Sequence, residues 1–157
     1  MDLRSLILAT FPALLSSSGC DTQSCTLADC GSGASITVET QDDASLPEGE
    51  LEVVVEADGE TRTATCTESD EEPSGGLFEG EDGAVQIRLT CGQTGLSVGL
   101  TAADPEDMPD DYRIQVFVDD ELSLDESGTF EYSTSQPNGP DCGPTCRNAS
   151  PVSLTLG

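Results

Sequence analysis

The chain has 157 residues, a length that favours one domain, and its 31 acidic residues against five arginines give a formal net charge of −26. Such a surface makes nucleic acid a poor partner and is repelled by anionic lipid, because both are bound through lysine and arginine. The absence of histidine, lysine and tryptophan removes the usual general base and Schiff-base chemistry, and leaves little support for stacking on sugars. The acidity is explained either by the solubility of an extracytoplasmic domain or by adaptation to a salty medium.

The first residues of the chain have the layout of an export signal. Arg4 lies in a short polar front region, an apolar run follows over residues 6–15, and small residues lead to Cys20. The apolar run is much shorter than the roughly 20 residues that a membrane-spanning helix needs. We therefore expect residues 1–19 to be a signal peptide that is removed on export.

The segment over residues 15–20 resembles the bacterial lipobox, in which the cysteine is acylated and becomes the new amino terminus after cleavage. The leucine that the lipobox favours three residues before the cysteine is Ser17 here, and Leu15 lies further back. Acylation of Cys20 with about two or three chains would give a stable membrane anchor, and residues 20–33 would be a tether and lead-in. The alternative is cleavage near Gly19 by ordinary signal peptidase, with Cys20 left as a thiol or in a disulfide.

The chain has seven cysteines, and acylation of Cys20 leaves an even set for disulfides. Because export places the chain in an oxidising compartment, we expect this set to form a covalent framework. The set consists of Cys25, Cys30, Cys66, Cys91, Cys142 and Cys146. The alternative is a zinc site built from the cysteines near the two chain ends, Cys25, Cys30, Cys142 and Cys146.

After the lead-in, short stretches of alternating apolar and polar residues follow one another, and no helical periodicity persists. The first strands are expected over residues 34–40 and 51–57, and Asp58 and Gly59 form a tight turn to a strand over residues 61–67. Residues 68–83 are acidic and glycine-rich and are predicted to be a loop. The inward-facing residues of the first two strands are Ile36, Val38, Leu51, Val53 and Val55, while Val54 faces outward.

The second half of the chain continues this alternation. A hairpin is predicted from residue 85 to residue 100, and a further strand over residues 114–118 lies between the acidic stretch 104–111 and a turn at Asp119 and Asp120. The apolar residues expected in the core are Val85, Ile87, Leu89, Leu96, Val98, Leu100, Ile114, Val116, Val118, Leu122, Leu124, Phe130, Tyr132, Val152, Leu154 and Leu156. These strands, about eight or nine in all, predict an all-β domain over residues 34–157, a small antiparallel β-sandwich (Ig-like or transthyretin-like) stapled by disulfides.

Alternation also predicts one disulfide. Cys66 has the same parity as Ala64, and Cys91 has the same parity as Leu89, so both thiols are expected to face inward. A bridge between them would join neighbouring strands or the two sheets, and would stabilise the fold by about 3 kcal/mol. The cysteines near the chain ends either bridge locally or connect the amino-terminal segment to the last loop.

Three parts of the sequence together resemble the small lipoproteins of myxobacteria: residues 135–147, residues 47–59 and the amino-terminal pattern of Cys20, Cys25 and Cys30. The resemblance covers nearly the whole mature chain. It implies an envelope lipoprotein of unassigned function, and it supplies no catalytic residues to carry over.

The sequence favours a non-catalytic module that is exported, anchored to a bacterial envelope membrane by its lipid, free of cofactors, and directed at an unidentified protein or polymer. Its acidic loops are the first candidates for specific contacts. An alternative is weak calcium binding by loop carboxylates, for which the candidates are Asp104, Glu106, Asp107, Asp110, Asp111, Asp119 and Asp120. An enzyme that works with carboxylates alone is disfavoured, because the sequence shows no nucleophile or base of the usual kinds.

Overall fold

The computed structural model describes residues 31–66, 84–139 and 142–157, and within them the chain is all-β. Ten strands form two sheets, and two short 3-10 segments lie at Gln41–Asp43 and Pro105–Asp107. The strands are β1 (Ser32–Thr40), β2 (Leu51–Ala57), β3 (Glu60–Cys66), β4 (Val85–Cys91), β5 (Gly95–Ala102), β6 (Asp111–Val118), β7 (Glu121–Thr129), β8 (Tyr132–Ser135), β9 (Cys146–Ala149) and β10 (Val152–Leu156). These residues include no helix long and apolar enough to cross a membrane.

The larger sheet has six strands in the order β4-β5-β1-β9-β8, and β10 also pairs with β1. β1 runs antiparallel to β5 but parallel to both β9 and β10. The prediction of two antiparallel sheets is therefore wrong for this sheet. Alternation shows which side chains face the core but not the direction of a strand, and here the last segment of the chain runs alongside β1 in the same direction.

The smaller sheet has four strands in the order β3-β2-β6-β7 and is antiparallel throughout. Asp58 and Gly59 join β2 to β3 with φ angles of 52° and 72°, as a type I′ hairpin turn requires. Asp119 and Asp120 make the corresponding turn between β6 and β7, with φ angles of 48° and 67°. Both turns lie where the sequence predicts them.

The core lies between the two sheets and is filled by alternate residues of their strands. Its largest fully buried side chains were all assigned to the core by alternation: Ile36, Val38, Val53, Val55, Leu89, Leu96, Val98, Leu100, Ile114 and Val116. Leu124, Phe130 and Leu156 are also buried, while Tyr132 and Leu154 are half-buried against the core. Most of the strands have one apolar face, so burial of these faces against one another holds the two sheets together.

Leu122 departs from the predicted core, because it is 48% exposed whereas Leu124 in the same strand is buried. A β-bulge explains the difference. Val116 pairs with Leu124, but its neighbour Phe117 pairs with Leu122, which leaves Ser123 as an extra residue in β7. The extra residue shifts the parity of the strand and places Leu122 on the outer face beside Phe117.

A disulfide joins Cys66 of β3 to Cys91 of β4 and confirms the pairing predicted from parity. The two strands belong to different sheets, and the two Cα atoms are 6.0 Å apart. Both cysteines are buried. The bridge therefore crosses from one sheet to the other inside the core.

The strand registers define two ends of the sandwich. At the Ser32 end, β1 begins opposite Ala102, the last residue of β5, and the connection over residues 103–110 leads directly into β6. At the Thr40 end lie the end of β1, the Cys66–Cys91 disulfide and the β6–β7 turn, since Leu51 pairs with both Cys66 and Val118. The predicted tether precedes β1 and so enters the sandwich at the Ser32 end.

Candidate functional site

Arg147 on β9 is the centre of a side-chain cluster at the Ser32 end. Its guanidinium donates a hydrogen bond to the carbonyl oxygen of Met108 (3.0 Å) and pairs with the Asp110 carboxylate. The same group lies 3.9 Å from the centroid of the Tyr132 ring. Because Met108 and Asp110 belong to the acidic connection between β5 and β6, the hydrogen bond and the ion pair fix that connection to the larger sheet, while the contact with Tyr132 of β8 lies within that sheet.

Aromatic side chains extend this cluster toward the core. The Tyr132 hydroxyl donates to the Pro109 carbonyl oxygen (2.7 Å), and the Phe130 N–H donates to the Asp110 carbonyl oxygen (2.8 Å). The Phe130 ring centroid lies 4.9 Å from that of Tyr112 and 5.9 Å from that of Tyr132. Burial raises the pKa of Tyr132, so its hydroxyl remains a hydrogen-bond donor at neutral pH.

The cluster also holds the start of β1. Ser32 is buried, and its hydroxyl oxygen accepts a hydrogen bond from the Arg147 backbone N–H (3.1 Å). Gly33 pairs with Asn148 between β1 and β9. The last two residues of the predicted lead-in are thereby bonded into the larger sheet.

An open depression of about 580 Å³ lies next to this cluster, between the β2–β3 turn and the start of β6. Arg113 at its wall donates two hydrogen bonds to Asp125, of 2.8 and 2.7 Å, so its charge is already paired. The lining includes four carboxylates, from Glu56, Asp58, Asp110 and Asp111. The depression therefore presents net negative charge and repels anions.

The ion pair between Arg113 and Asp125 lies on the outer face of the smaller sheet. Gln115 donates a further hydrogen bond to the Asp125 carboxylate (3.1 Å). The hydrogen bond from Arg113 is the main cause that lowers the pKa of Asp125, and the same bond raises the pKa of Arg113. Both groups remain charged at neutral pH, and the charge of each explains the pKa shift of the other.

At the Thr40 end, Asp119 holds the residues that precede β2. Its carboxylate accepts a hydrogen bond from the Glu50 N–H (3.1 Å), and its own N–H donates to the Glu50 carbonyl oxygen (3.0 Å). Gly49, with a φ of 136°, packs so closely that a Cβ there would lie 2.6 Å from Asp119 Oδ1. The Asp119 carboxylate is thus engaged in joining the β6–β7 turn to the connection before β2.

The structure divides the predicted calcium candidates between the two ends. Asp119 and Asp120 lie at the Thr40 end, and those at the Ser32 end are Asp104, Glu106, Asp107, Asp110 and Asp111. The Asp104 carboxylate accepts a hydrogen bond from the Glu106 N–H (3.1 Å) and so caps its own turn. In the part of the chain that the structure describes, no three carboxylate, cysteine or histidine side chains are grouped so that they could hold a metal ion.

Cys142 and Cys146 are both buried and are both in disulfides. A cysteine in a disulfide provides no thiolate, so neither residue is available to the zinc site considered from the sequence. Cys20, Cys25 and Cys30 lie outside the described residues, as does the whole predicted signal peptide. Lipidation of Cys20 and the pairing of Cys25 and Cys30 therefore stay predictions.

Two features of the surface were missed by sequence reasoning. The partners of Arg147 are distant in sequence, with Met108 39 residues and Ser32 115 residues away, and alternation carries no information on such contacts. The second feature is the apolar set of Val54, Phe117 and Leu122 on the outer face of the smaller sheet. Parity does place Val54 and Phe117 outward, but Leu122 joins them only through the bulge.

No protein-family model matches the chain, and neither a curated protein nor a solved structure is significantly similar to it. The resemblance to myxobacterial lipoproteins therefore stays a prediction.

Proposed function

We propose that this chain is an exported lipoprotein of the bacterial envelope, whose Ig-like or transthyretin-like sandwich is a non-catalytic module for an unidentified protein or polymer. Residues 1–19 are removed as a signal peptide, and a lipid on Cys20 holds the module at the membrane. The position of β1 in the larger sheet is the observation that carries this proposal.

β1 begins at the end of the predicted lead-in and lies in the interior of its sheet. It pairs with β5 from Ser32 to Glu39 and with β10 from Ile36 to Thr40. A pull on the chain before Ser32 acts along β1 and loads these backbone hydrogen bonds together. An edge strand is bonded on one side only and would separate more easily, so this arrangement supports a domain held through its amino-terminal segment.

Attachment through Cys20 would orient the sandwich. The segment between Cys20 and Ser32 spans at most about 40 Å when fully extended, and it enters at the Ser32 end. The carboxylates at that end are repelled by anionic lipid headgroups, which keeps the domain off the membrane surface. The Thr40 end then points away from the membrane.

The pKa shifts of the ionisable groups have structural explanations, which favours a non-catalytic module. The pKa of Asp125 is lowered and that of Arg113 is raised because the two groups form an ion pair. Tyr112 and Tyr132 shift mainly because burial raises the pKa of each hydroxyl. A catalytic acid or base is recognised by a position in a cleft and by a pKa shifted toward the value that proton transfer needs. These four groups do not have that combination.

Fractionation of host cells that export the chain tests the anchor. We expect the full chain to sediment with membranes and Cys20→Ser to appear in the soluble exported fraction, because the acylation site is lost. Cys25→Ser is the matched control, since it removes a thiol from the same segment and leaves Cys20 in place. Membrane retention of Cys20→Ser, or release of both variants, would contradict a lipid on Cys20.

A further inference from the structure

Side chains on the outer face of the smaller sheet form a regular grid. The strand registers place them in rows that cross β3, β2, β6 and β7. The row nearest the Thr40 end consists of Thr65, Glu52, Phe117 and Leu122, and the next row consists of Thr63, Val54, Gln115 and Asp125. The third row consists of Thr61, Glu56, Arg113 and Ser127.

Apolar side chains occupy neighbouring positions of this grid, although the water-facing side of a sheet is normally polar. Leu122 lies directly opposite Phe117, and Val54 lies diagonal to Phe117. Leu122 is the exposed large apolar residue of the described part of the chain, at 48%, and the other two are half-buried. We call Val54, Phe117 and Leu122 the outer apolar patch.

Carboxylates predominate among the charged side chains beside the outer apolar patch. The outward-facing residues of β2 are Glu52, Val54 and Glu56, so a carboxylate lies on each side of the apolar residue. Arg113 is the cation of this grid, and its two hydrogen bonds to Asp125 already pair its charge. The surface therefore offers apolar contact flanked by negative charge.

We propose that the outer apolar patch binds an extended protein segment in which basic residues flank apolar ones. Apolar side chains of that segment would pack on Phe117 and Leu122, since aromatic and apolar residues supply the centre of most interfaces. Its lysine or arginine side chains would pair with Glu52 and Glu56, and the net charge of −26 would attract it and repel acidic competitors. This inference rests on the proposed function, because it names a surface and a partner class for that module.

Fluorescence anisotropy with a short labelled peptide that alternates lysine and leucine tests this inference. The exported Cys20→Ser chain is used at about 0.15 M salt, which screens weak non-specific attraction and needs no detergent. We expect Leu122→Ser and Glu52→Gln each to weaken binding about tenfold. Glu39→Gln is the matched control, because it removes an exposed carboxylate from β1 of the other sheet and should leave binding unchanged.

Three results would overturn the inference: no binding of the peptide, equal binding of a lysine–serine peptide, or equal weakening by Glu39→Gln and Glu52→Gln. The last two would show that charge alone attracts the peptide. Thermal melts of each variant show whether the fold is kept, which is expected because Leu122 and Glu39 are exposed. The test uses a chain without lipid, so failure of the membrane anchor and failure of the binding face give separate results.

Discussion

The two ends of the sandwich connect the same two sheets by different chemistry. At the Thr40 end, a buried disulfide crosses directly from β3 to β4. At the Ser32 end, Arg147 reaches from β9 to the connection that precedes β6 through a hydrogen bond and an ion pair, and it also stacks on Tyr132 of β8 within its own sheet. A disulfide is covalent and insensitive to salt. The contacts of Arg147 are non-covalent and depend on several partners, so the Ser32 end should be the easier one to loosen by substitution at the surface.

Removal of the Cys66–Cys91 disulfide should have the largest effect. We expect the double variant Cys66→Ala, Cys91→Ala to lose about 3 kcal/mol of unfolding free energy, because the unfolded chain gains freedom and the bridge between the sheets is lost. Urea unfolding of the oxidised proteins measures the difference. A loss below about 1 kcal/mol would mean that the two sheets are held together at this end by packing alone.

Arg147→Ala tests the Ser32 end. We expect the free energy of unfolding to fall by about 1–2 kcal/mol, because the Met108 carbonyl and the Tyr132 ring both lose their partner. Hydrogen exchange should become faster at the Phe130 amide, which is bonded to Asp110, and should stay unchanged at the Asp119 amide of the other end. Arg147→Lys is the control that keeps the charge, and it should recover part of the loss. Equal loss of protection at the Phe130 and Asp119 amides would contradict the expectation that the two ends of the sandwich loosen independently.

Gly49→Ala is expected to disturb the Thr40 end alone. A methyl group there would meet the Asp119 carboxylate, and a φ of 136° strains any residue with a side chain, so we expect a cost of about 1–2 kcal/mol. Gly99→Ala is the matched control, since an added Cβ there has no neighbour within 4 Å. Chemical denaturation compares the two, and equal stability of both variants would show that the contact with Asp119 does not restrain the connection.

Calcium should have the smallest effect on either end. The candidate carboxylates are divided between the two ends, and Asp104, Asp110 and Asp119 are already hydrogen-bonded within the protein. We expect the melting temperature to be the same in millimolar calcium and in chelator, because a ligand that does not bind the folded state cannot stabilise it. A rise of several degrees with calcium would restore the calcium-binding alternative.

Alternation was sufficient to predict most of the core and the pairing of Cys66 with Cys91. The inward positions of Val53, Leu89 and Ile114 follow from the two-residue period of a strand, and so does the shared orientation of Cys66 and Cys91. Turn chemistry placed the hairpin at Asp58 and Gly59 correctly, because positive φ is favoured by few residue types.

The same alternation could not predict the direction of a strand, a shift in strand register, or a contact between residues distant in sequence. The parallel pairing of β10 with β1 leaves no local signature, and β9 (Cys146–Ala149) has no apolar alternation by which to recognise a strand. The bulge at Ser123 moved Leu122 from the expected core to the outer face. Arg147 was one arginine among five, and only the fold shows that it joins the acidic connection to the start of β1.

Intact-protein mass spectrometry of the chain extracted from the membranes of its own host, before and after reduction and alkylation, measures both the lipid anchor and the disulfides. We expect a chain that starts at Cys20, carries added acyl mass, and takes up alkylating reagent at its other cysteines only after reduction. A mature chain without acyl mass, or thiols that react before reduction, would contradict an envelope lipoprotein with a disulfide framework.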